Sequence, residues 1–251
     1  MPSRLSRPRF LDLARREIGP LAALLVAAAL VLSFGYLATE VLEGDTAGFD
    51  RAVVLAMRTS GNLADPIGPA WLEEMGRDVT ALGSYAFLGF VFFSVLGYLV
   101  LIRKRSAALL MTAAVLGGAV LSTILKLGID RARPDLVPHA ARVFTASFPS
   151  GHATLSAVTF LTLGALLTRM HSERRIKVYF MALAVILTVF VGLSRLYLGV
   201  HYPTDVIAGW AVRAAWAIMC WVAAVWLQQH GEVERPTASH VDLREAPEEA
   251  S

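Results

Sequence analysis

Cysteine is almost absent from the sequence, and its scarcity removes several classes of protein. The chain has one cysteine, Cys220, which excludes an internal disulfide and any metal site built from several cysteines. Cys220 lies inside an apolar run, so we interpret it as a residue that packs between helices.

Charged residues are also scarce, which argues against a soluble protein. They make up 17% of the 251 residues, below the roughly 25% of soluble domains. Hydrophobic residues make up 56%, and the mean hydropathy is +0.57. The formal net charge is only +3, and the basic residues form short clusters between apolar runs. This pattern predicts a membrane protein with no nucleic-acid partner.

Six apolar stretches are long enough to cross a bilayer, for which about 20 helical residues are needed. The first follows several arginines, as a signal peptide would, but it begins late and no small-x-small cleavage site follows it, so we expect a retained helix. The sequence therefore predicts an all-α bundle of six transmembrane helices, without an internal repeat or a second soluble domain. The predicted spans are 20–39, 79–102, 106–126, 151–169, 178–198 and 206–228.

Basic residues in the short connections predict the orientation of this bundle. They cluster in residues 1–19, at 103–105 and at 169–177, and such clusters stay on the cytoplasmic side. Six crossings then place both termini in the cytoplasm. The segments predicted on the outer side are 40–78, 127–150 and 199–205.

Two segments outside the spans differ from the apolar helices in composition. Within 40–78, the stretch FDRAVVLAMR (Phe49–Arg58) suits a short helix at the membrane interface, and a plain connecting loop fits as well. The C-terminal residues are polar and acidic and include two prolines, so they cannot bury a core. The predicted domains are a cytoplasmic N-terminal arm (1–19), a six-helix domain (20–228) and a disordered tail (229–251).

Polar residues collect at three helix ends that the predicted topology places on the outer side. The third span ends in KLGIDRARPD (Lys126–Asp135), the fourth opens with FPSGH (Phe148–His152), and the fifth ends in SRLYLGVHYPTD (Ser194–Asp205). A single arginine or histidine at a membrane border is usually an anchor or a structural group. Anchoring alone does not explain why all three clusters fall on one face, so we expect them to form one site.

The residue types in these clusters suit a phosphoryl group. Guanidinium and ammonium groups bind phosphate oxygens, and guanidinium does so with a matching planar fork. Ser150 and Gly151 stand at a predicted helix N-terminus, where free N–H groups and the helix dipole attract an anion. His152 and His201 lie beside this cradle. The three cations are Lys126, Arg133 and Arg195.

The three clusters together resemble the signatures of the type 2 phosphatidic acid phosphatase (PAP2) family, membrane phosphatases related to the vanadium-dependent haloperoxidases. The signatures are a lysine, six residues and Arg-Pro (Lys126–Pro134), Pro-Ser-Gly-His (Pro149–His152), and Ser-Arg, five residues, His, three residues and Asp (Ser194–Asp205). All eleven specified positions match in order and spacing. The resemblance implies an all-α six-helix fold with a PAP2/haloperoxidase-like core.

The resemblance also implies a mechanism without metal or cofactor. His201 would attack phosphorus, Asp205 would hold its imidazole in the attacking tautomer, and His152 would protonate the leaving oxygen and later activate water. Cations would take the place of Mg²⁺. Because one histidine must be neutral and the other protonated, a bell-shaped pH profile is expected. The residues implied to bind phosphate oxygens are Lys126, Arg133, Ser150, Gly151 and Arg195.

The implied substrate is a lipid phosphate or diphosphate in the bilayer of a bacterial inner membrane, with the site facing outward. The resemblance ranks undecaprenyl diphosphate first, ahead of phosphatidylglycerophosphate, phosphatidic acid and lipid A phosphates. A transporter or a non-catalytic lipid-phosphate binder stays open, although neither would require the two histidines and Asp205. A vanadate-dependent oxidase fits less well, because its known relatives are soluble. The sequence does not specify the headgroup, the chain length or the oligomeric state.

Arg213 is a further charged residue, two helical turns beyond Asp205. Spacing of i, i+4 and i+8 places it on the same helix face as Asp205 and Gly209. An unpaired guanidinium at this depth costs at least about 2.5 kcal/mol. The sequence leaves open whether Arg213 contacts a second phosphate, braces the site from below, or pairs with a group inside the bundle.

Overall fold

A computed structural model describes residues 8–134 and 146–229 of the protein, and describes side chains for 18–134 and 146–226. The predicted tail beyond residue 229 and residues 1–7 of the predicted N-terminal arm lie outside the described residues. The helices in the described part are α1 (Pro8–Glu43), α2 (Ala47–Ala56), α3 (Ala70–Ala81), α4 (Tyr85–Leu101), α5 (Arg105–Gly128), α6 (Gly151–Met170), α7 (Arg174–Tyr197) and α8 (Pro203–Gln229). The strands are β1 (Arg58–Thr59) and β2 (Asn62–Pro66).

Membrane spans are supplied by α1 from Ile18 onward, α5, α6, α7 and α8, which are each long and apolar enough to cross. A sixth span arises when α3 and α4 count as one bent pair, with an angle of 45° between them. The all-α, six-span prediction is therefore confirmed. The observed bundle differs from the prediction in one respect: the second predicted span is a broken helix pair rather than one continuous helix.

The break between α3 and α4 follows from the sequence Gly83-Ser84. Ser84 has an extended backbone, and its hydroxyl accepts a hydrogen bond from the backbone N–H of Phe87, so α4 begins there with its own N-cap. A Cβ on Gly83 would lie 2.5 Å from Val191 Cγ1 and 3.4 Å from His152 Cβ. Only glycine allows the chain to approach α7 and the start of α6 this closely. We call residues Thr80–Tyr85 the elbow.

The segment between α1 and α3 folds into a helix and a hairpin. The helix predicted as one of two alternatives for Phe49–Arg58 is present as α2, Ala47–Ala56. The antiparallel hairpin β1–β2 was not predicted, and Gly61 turns it with φ +90°. The Arg58 guanidinium donates to the carbonyl of Tyr197, which ties the hairpin to the end of α7.

Helix α6 is the central helix of the bundle. Ten of its residues are buried, and it packs against α4, α5, α7 and α8, while α1 packs against α8. Small residues allow these close contacts: a Cβ on Gly164 would lie 2.9 Å from the Ala184 Cβ of α7. Helices α6 and α8 begin where α5 and α7 end, so two helix N-termini and the basic last turns of α5 and α7 meet at one end of the bundle. We call this the site end.

Candidate active site

Lys126 lies in the last turn of α5 and points at the start of α6. Its ammonium group donates a hydrogen bond to the carbonyl of Ala146, with an Nζ–O distance of 2.7 Å. A Cβ on Gly151 would lie 3.7 Å from Lys126 Cε and 3.9 Å from Nζ. The absence of a side chain at Gly151 therefore leaves the ammonium group directly beside the first turn of α6.

The N-terminus of α6 is uncapped. Ser150 occupies the N-cap position, but its side chain makes no capping hydrogen bond. Its hydroxyl oxygen is buried and has no hydrogen-bond partner among the described residues. The first N–H groups of a helix have no partner within the helix, so this end is suited to an anion. The Ser150 N–H itself donates to the Asp205 carbonyl over 3.1 Å, which joins the starts of α6 and α8.

Two arginines from other segments complete the basic cradle. Arg133 Nη1 lies 3.1 Å from the Val200 carbonyl oxygen and 3.1 Å from His201 Nε2. Arg195, buried at the end of α7, donates from Nη1 to Thr80 Oγ1 over 3.1 Å. Thr80 belongs to the elbow, which therefore orients one of the predicted phosphate-binding groups.

His201 is buried between Arg133 and Asp205. Its Nδ1 lies 3.4 Å from Asp205 Oδ2 and 3.3 Å from Ser147 Oγ, while Nε2 faces Arg133. A guanidinium can only donate hydrogen bonds, so Nε2 must accept and the proton must sit on Nδ1. This arrangement leaves the lone pair of Nε2 directed at the cradle, as a nucleophile requires.

Asp205 is fully buried in the first turn of α8 and is saturated with donors. Its Oδ2 accepts from the Ser147 hydroxyl and from the Tyr202 N–H, the latter over 2.9 Å. Its Oδ1 accepts from Arg131 Nη1 over 2.7 Å. These bonds fix the carboxylate in the position from which it faces the His201 imidazole.

A second buried carboxylate, Asp50 of α2, extends this network. Arg131 bridges the two acids, since its Nη2 lies 2.6 Å from Asp50 Oδ2. Asp50 also accepts from Thr204, over 2.6 Å from the hydroxyl and 3.2 Å from the N–H. Asp205 and Asp50 raise the pKa of Arg131 even though burial acts against this. The chain from Asp50 through Arg131 to Asp205 connects α2 with the start of α8.

His152 is the second residue of α6 and lies under the elbow. Its ring meets the Tyr85 ring edge-on, with 6.3 Å between the ring centroids. A Cβ on Gly83 would lie 3.4 Å from the His152 Cβ, so the backbone of Gly83 passes close to this histidine. The elbow thus covers one side of the histidine that is predicted to act as acid and base.

The structure brings the sequence-predicted residues together at the site end, and adds others. The set predicted from sequence is Lys126, Arg133, Ser150, Gly151, His152, Arg195, His201 and Asp205. The residues that sequence reasoning did not assign are Asp50, Thr80, Tyr85, Arg131 and Ser147. Arg131 and Ser147 lie beside signature residues, whereas Asp50, Thr80 and Tyr85 carry no spacing signal. Among the described residues, no three His, Cys, Asp or Glu side chains are grouped as a metal site.

Arg213 is fully buried. The sequence left open whether it pairs with a group inside the bundle, and the described residues offer no hydrogen-bond partner for it. None of its three guanidinium nitrogens has a hydrogen-bond partner within the described part of the chain. Nη1 packs against Gly118, where a Cβ would lie 2.5 Å from it, and Val158 borders the same space. A hydrogen-bonded partner inside the bundle is thus not found in residues 18–134 and 146–226.

The acid side of the pH profile is expected to reflect His201. Burial lowers the pKa of His201 to about 4, although the hydrogen bond and charge of Asp205 oppose this. The imidazole is therefore neutral above this pH, and kcat/KM should fall about tenfold per pH unit below it because protonation removes the lone pair of the predicted nucleophile.

The measurement for this prediction is kcat/KM from pH 3.5 to 9, with each sample returned to pH 7 to check that losses are reversible. An acid limb centred near the ordinary histidine pKa of about 6.5 would contradict the buried, neutral His201.

Comparison with known proteins identifies a family of similar sequences. The family model described as PAP2 superfamily matches residues 106–229. The chain is 32% identical over 165 residues to phosphatidylglycerophosphatase B of Bacillus subtilis, covering 64% of this chain and 80% of that protein. It is 33% identical over 176 residues to lipid A 1-phosphatase of Rhizobium etli, covering 58% and 70%.

A solved structure is similar over most of the chain. The crystal structure of a transmembrane PAP2-type phosphatidylglycerolphosphate phosphatase from Bacillus subtilis superimposes with a TM-score of 0.71 at 27% identity, covering 83% of this chain and 98% of that one. Residues 106–229, which the family model matches, contain the uncapped helix, the cations and the His201–Asp205 pair described above. The chain is therefore an integral membrane protein that belongs to the PAP2 superfamily of phosphatases.

Proposed function

We propose that this phosphatase hydrolyses a phosphomonoester or diphosphate of a membrane lipid through a phosphohistidine intermediate. The observation that carries the proposal is the orientation of His201, whose Nε2 faces the cationic cradle while Nδ1 faces Asp205. A binder without catalysis has no need for a buried imidazole held in this tautomer.

In the first step the phosphoryl group occupies the cradle and His201 attacks it. The phosphorus–Nε2 bond forms and the bond from phosphorus to the lipid oxygen breaks. The leaving oxygen takes its electron pair from that bond and a proton from His152. Asp205 stabilises the positive charge that develops on the imidazole.

In the second step water hydrolyses the phosphohistidine. Neutral His152 accepts a proton from water, the new phosphorus–oxygen bond forms, and the phosphorus–Nε2 bond breaks with its electrons returning to His201. Inorganic phosphate leaves, and both histidines regain their starting states. His152 thus serves as the acid in the first step and as the base in the second.

The cradle is proposed to stabilise the transition state through charge. Lys126, Arg133 and Arg195 surround an uncapped helix N-terminus, and all of these groups are at least partly removed from water. Fixed donors in such a place gain strength as charge shifts onto the phosphoryl oxygens. They supply the charge that Mg²⁺ provides in many phosphoryl-transfer sites.

A lipid substrate is supported by where the cradle lies. The site residues stand at the ends of membrane-spanning helices, so a headgroup can meet them while its apolar tail stays in the bilayer. The similar proteins act by name on phosphatidylglycerophosphate and on lipid A. We propose these lipids, undecaprenyl diphosphate and phosphatidic acid as the candidate substrates, with undecaprenyl diphosphate first.

We also propose that the site faces the outer side of a bacterial inner membrane, with both termini in the cytoplasm. The basic connections at 103–105 and 169–177 lie at the bundle end opposite the site. Positive loops stay on the cytoplasmic side, which supports this orientation.

The experiment that tests the function is phosphate release by the purified protein in EDTA. Undecaprenyl diphosphate, phosphatidylglycerophosphate, phosphatidic acid and lipid A are offered in parallel. We expect full activity in the chelator, since cations of the chain carry the electrostatic role, and a preference of at least about tenfold for one lipid, because polar headgroups are discriminated strongly.

Two outcomes would overturn the proposal. Complete loss of activity in EDTA with rescue by Mg²⁺ would remove the metal-independent mechanism. No release from any of the lipids or from lipid A, with orthovanadate still bound, would favour the non-catalytic lipid-phosphate binder.

A further inference from the structure

Tyr85, the first residue of α4, reaches into the cradle although it belongs to none of the three signatures. The position that a Cβ on Gly151 would occupy lies 3.3 Å from Tyr85 Oη and 3.9 Å from Lys126 Nζ. The phenol hydroxyl and the ammonium group therefore flank the same uncapped helix turn.

The rest of Tyr85 faces outward from the bundle. The residue is 68% exposed, and the edge-on contact of its ring with His152 uses only one side of the phenol. One end of this side chain is thus polar and inside the cradle, while its ring is open to the surroundings of a membrane-spanning helix. The elbow fixes this placement, because Ser84 caps α4 and Gly83 packs against His152.

From this geometry we propose that Tyr85 is a substrate-binding residue that reads the junction between phosphate and lipid. Its hydroxyl donates a hydrogen bond to a phosphoryl oxygen, and its ring packs against the first carbons of the lipid tail. The second statement rests on the proposed function, whereas the first requires only that the cradle binds phosphate. A phenol combines a hydrogen-bond donor with an apolar body, which suits a contact that is polar at one end and apolar at the other.

The test compares Tyr85→Phe with Tyr98→Phe, a matched control. Tyr98 lies on the same helix at the end opposite the site and is 52% exposed. The probe is inorganic phosphate, titrated by calorimetry against the full-length protein in detergent, with melting temperatures recorded for each variant. Because one hydrogen bond to a charged group is removed, we expect Tyr85→Phe to bind phosphate about tenfold more weakly, and Tyr98→Phe to match the unmodified protein.

A second variant tests the role of the ring. Tyr85→Leu removes both the hydroxyl and the aromatic ring, and should lower kcat/KM further than Tyr85→Phe for a long-chain lipid phosphate. With p-nitrophenyl phosphate, which has no lipid tail, the two variants should be equal. This split between substrates is not expected from a residue that only stabilises the fold.

Each outcome separates this inference from the proposed function. Unchanged phosphate affinity in Tyr85→Phe, or an equal loss in Tyr98→Phe, overturns the hydroxyl contact whatever the enzyme hydrolyses. Equal losses of Tyr85→Leu and Tyr85→Phe on the long-chain lipid overturn the ring contact. If the unmodified protein binds phosphate but cleaves no lipid, the proposed function fails while the phosphate titration still decides the hydroxyl contact.

Discussion

His201→Ala is expected to lower kcat by about 10⁴-fold or more while lipid-phosphate binding stays nearly intact. In the proposed mechanism the substitution removes the atom that forms the bond to phosphorus, and loss of a nucleophile costs this much or more in other covalent enzymes. Binding should persist because the cradle cations come from other segments of the chain. The measurement is phosphate release, paired with rapid-quench labelling from a phosphate-labelled substrate.

His171→Ala provides the matched control for this experiment. His171 lies at the opposite end of α6, where its Nδ1 is 3.0 Å from the Leu167 carbonyl oxygen. The unmodified protein and the His171 variant should both trap an acid-labile phosphoryl label, and His201→Ala should trap none. Retention of more than a tenth of the activity, or of the label, in His201→Ala would assign the nucleophile to another residue.

The helices that carry the signatures were predictable because their ends have strong local signals. Span 106–126 is observed as α5, Arg105–Gly128, and span 151–169 as α6, Gly151–Met170. Basic residues and Pro-Ser-Gly mark these ends in the sequence itself. The predicted span 79–102 was only partly right, since hydropathy averaged over a window does not detect the backbone break at Gly83-Ser84.

The grouping of the candidate-site residues was predictable for a related reason, whereas their roles stay predictions. The signature residues stand at helix ends, and the alternation of helix directions brings these ends together. Asp50 could not be found this way, because its contact with Thr204 joins positions 154 residues apart. In the sequence, a lone aspartate in a short amphipathic helix cannot be distinguished from a surface residue. Only the packing of α2 against α8 reveals that it is buried.

The network of Asp50, Arg131 and Asp205 leads to a second large expected effect, on stability as well as activity. Arg131→Met should lower the free energy of unfolding by about 3–5 kcal/mol, because it leaves two buried carboxylates without their shared cation. Its side chain is only 14% exposed and both acids are fully buried, so solvent cannot replace the lost ion pairs. Chemical denaturation in detergent measures this loss.

The exposed pair Glu73–Arg77 on α3 supplies the matched control. Its N–O distance of 2.5 Å resembles the 2.6 Å between Arg131 and Asp50, but the Arg77 side chain is 61% exposed. Arg77→Met should therefore cost less than about 1 kcal/mol. If the two substitutions destabilise the protein equally, burial does not give the network its strength.

A double substitution separates the charge of the network from its packing. In Asp50→Asn/Arg131→Met, one of the two carboxylates that lose Arg131 is replaced by a neutral amide. The double variant should therefore be more stable than Arg131→Met alone. Independent sites do not show such a coupling between two substitutions. Asp205 nevertheless stays without Arg131 in both variants, and its hold on the His201 imidazole loosens in both. Stability should thus recover in part while kcat stays low. Joint recovery of stability and kcat would instead show that Arg131 serves the fold alone and does not position the proposed catalytic pair, His201 and Asp205.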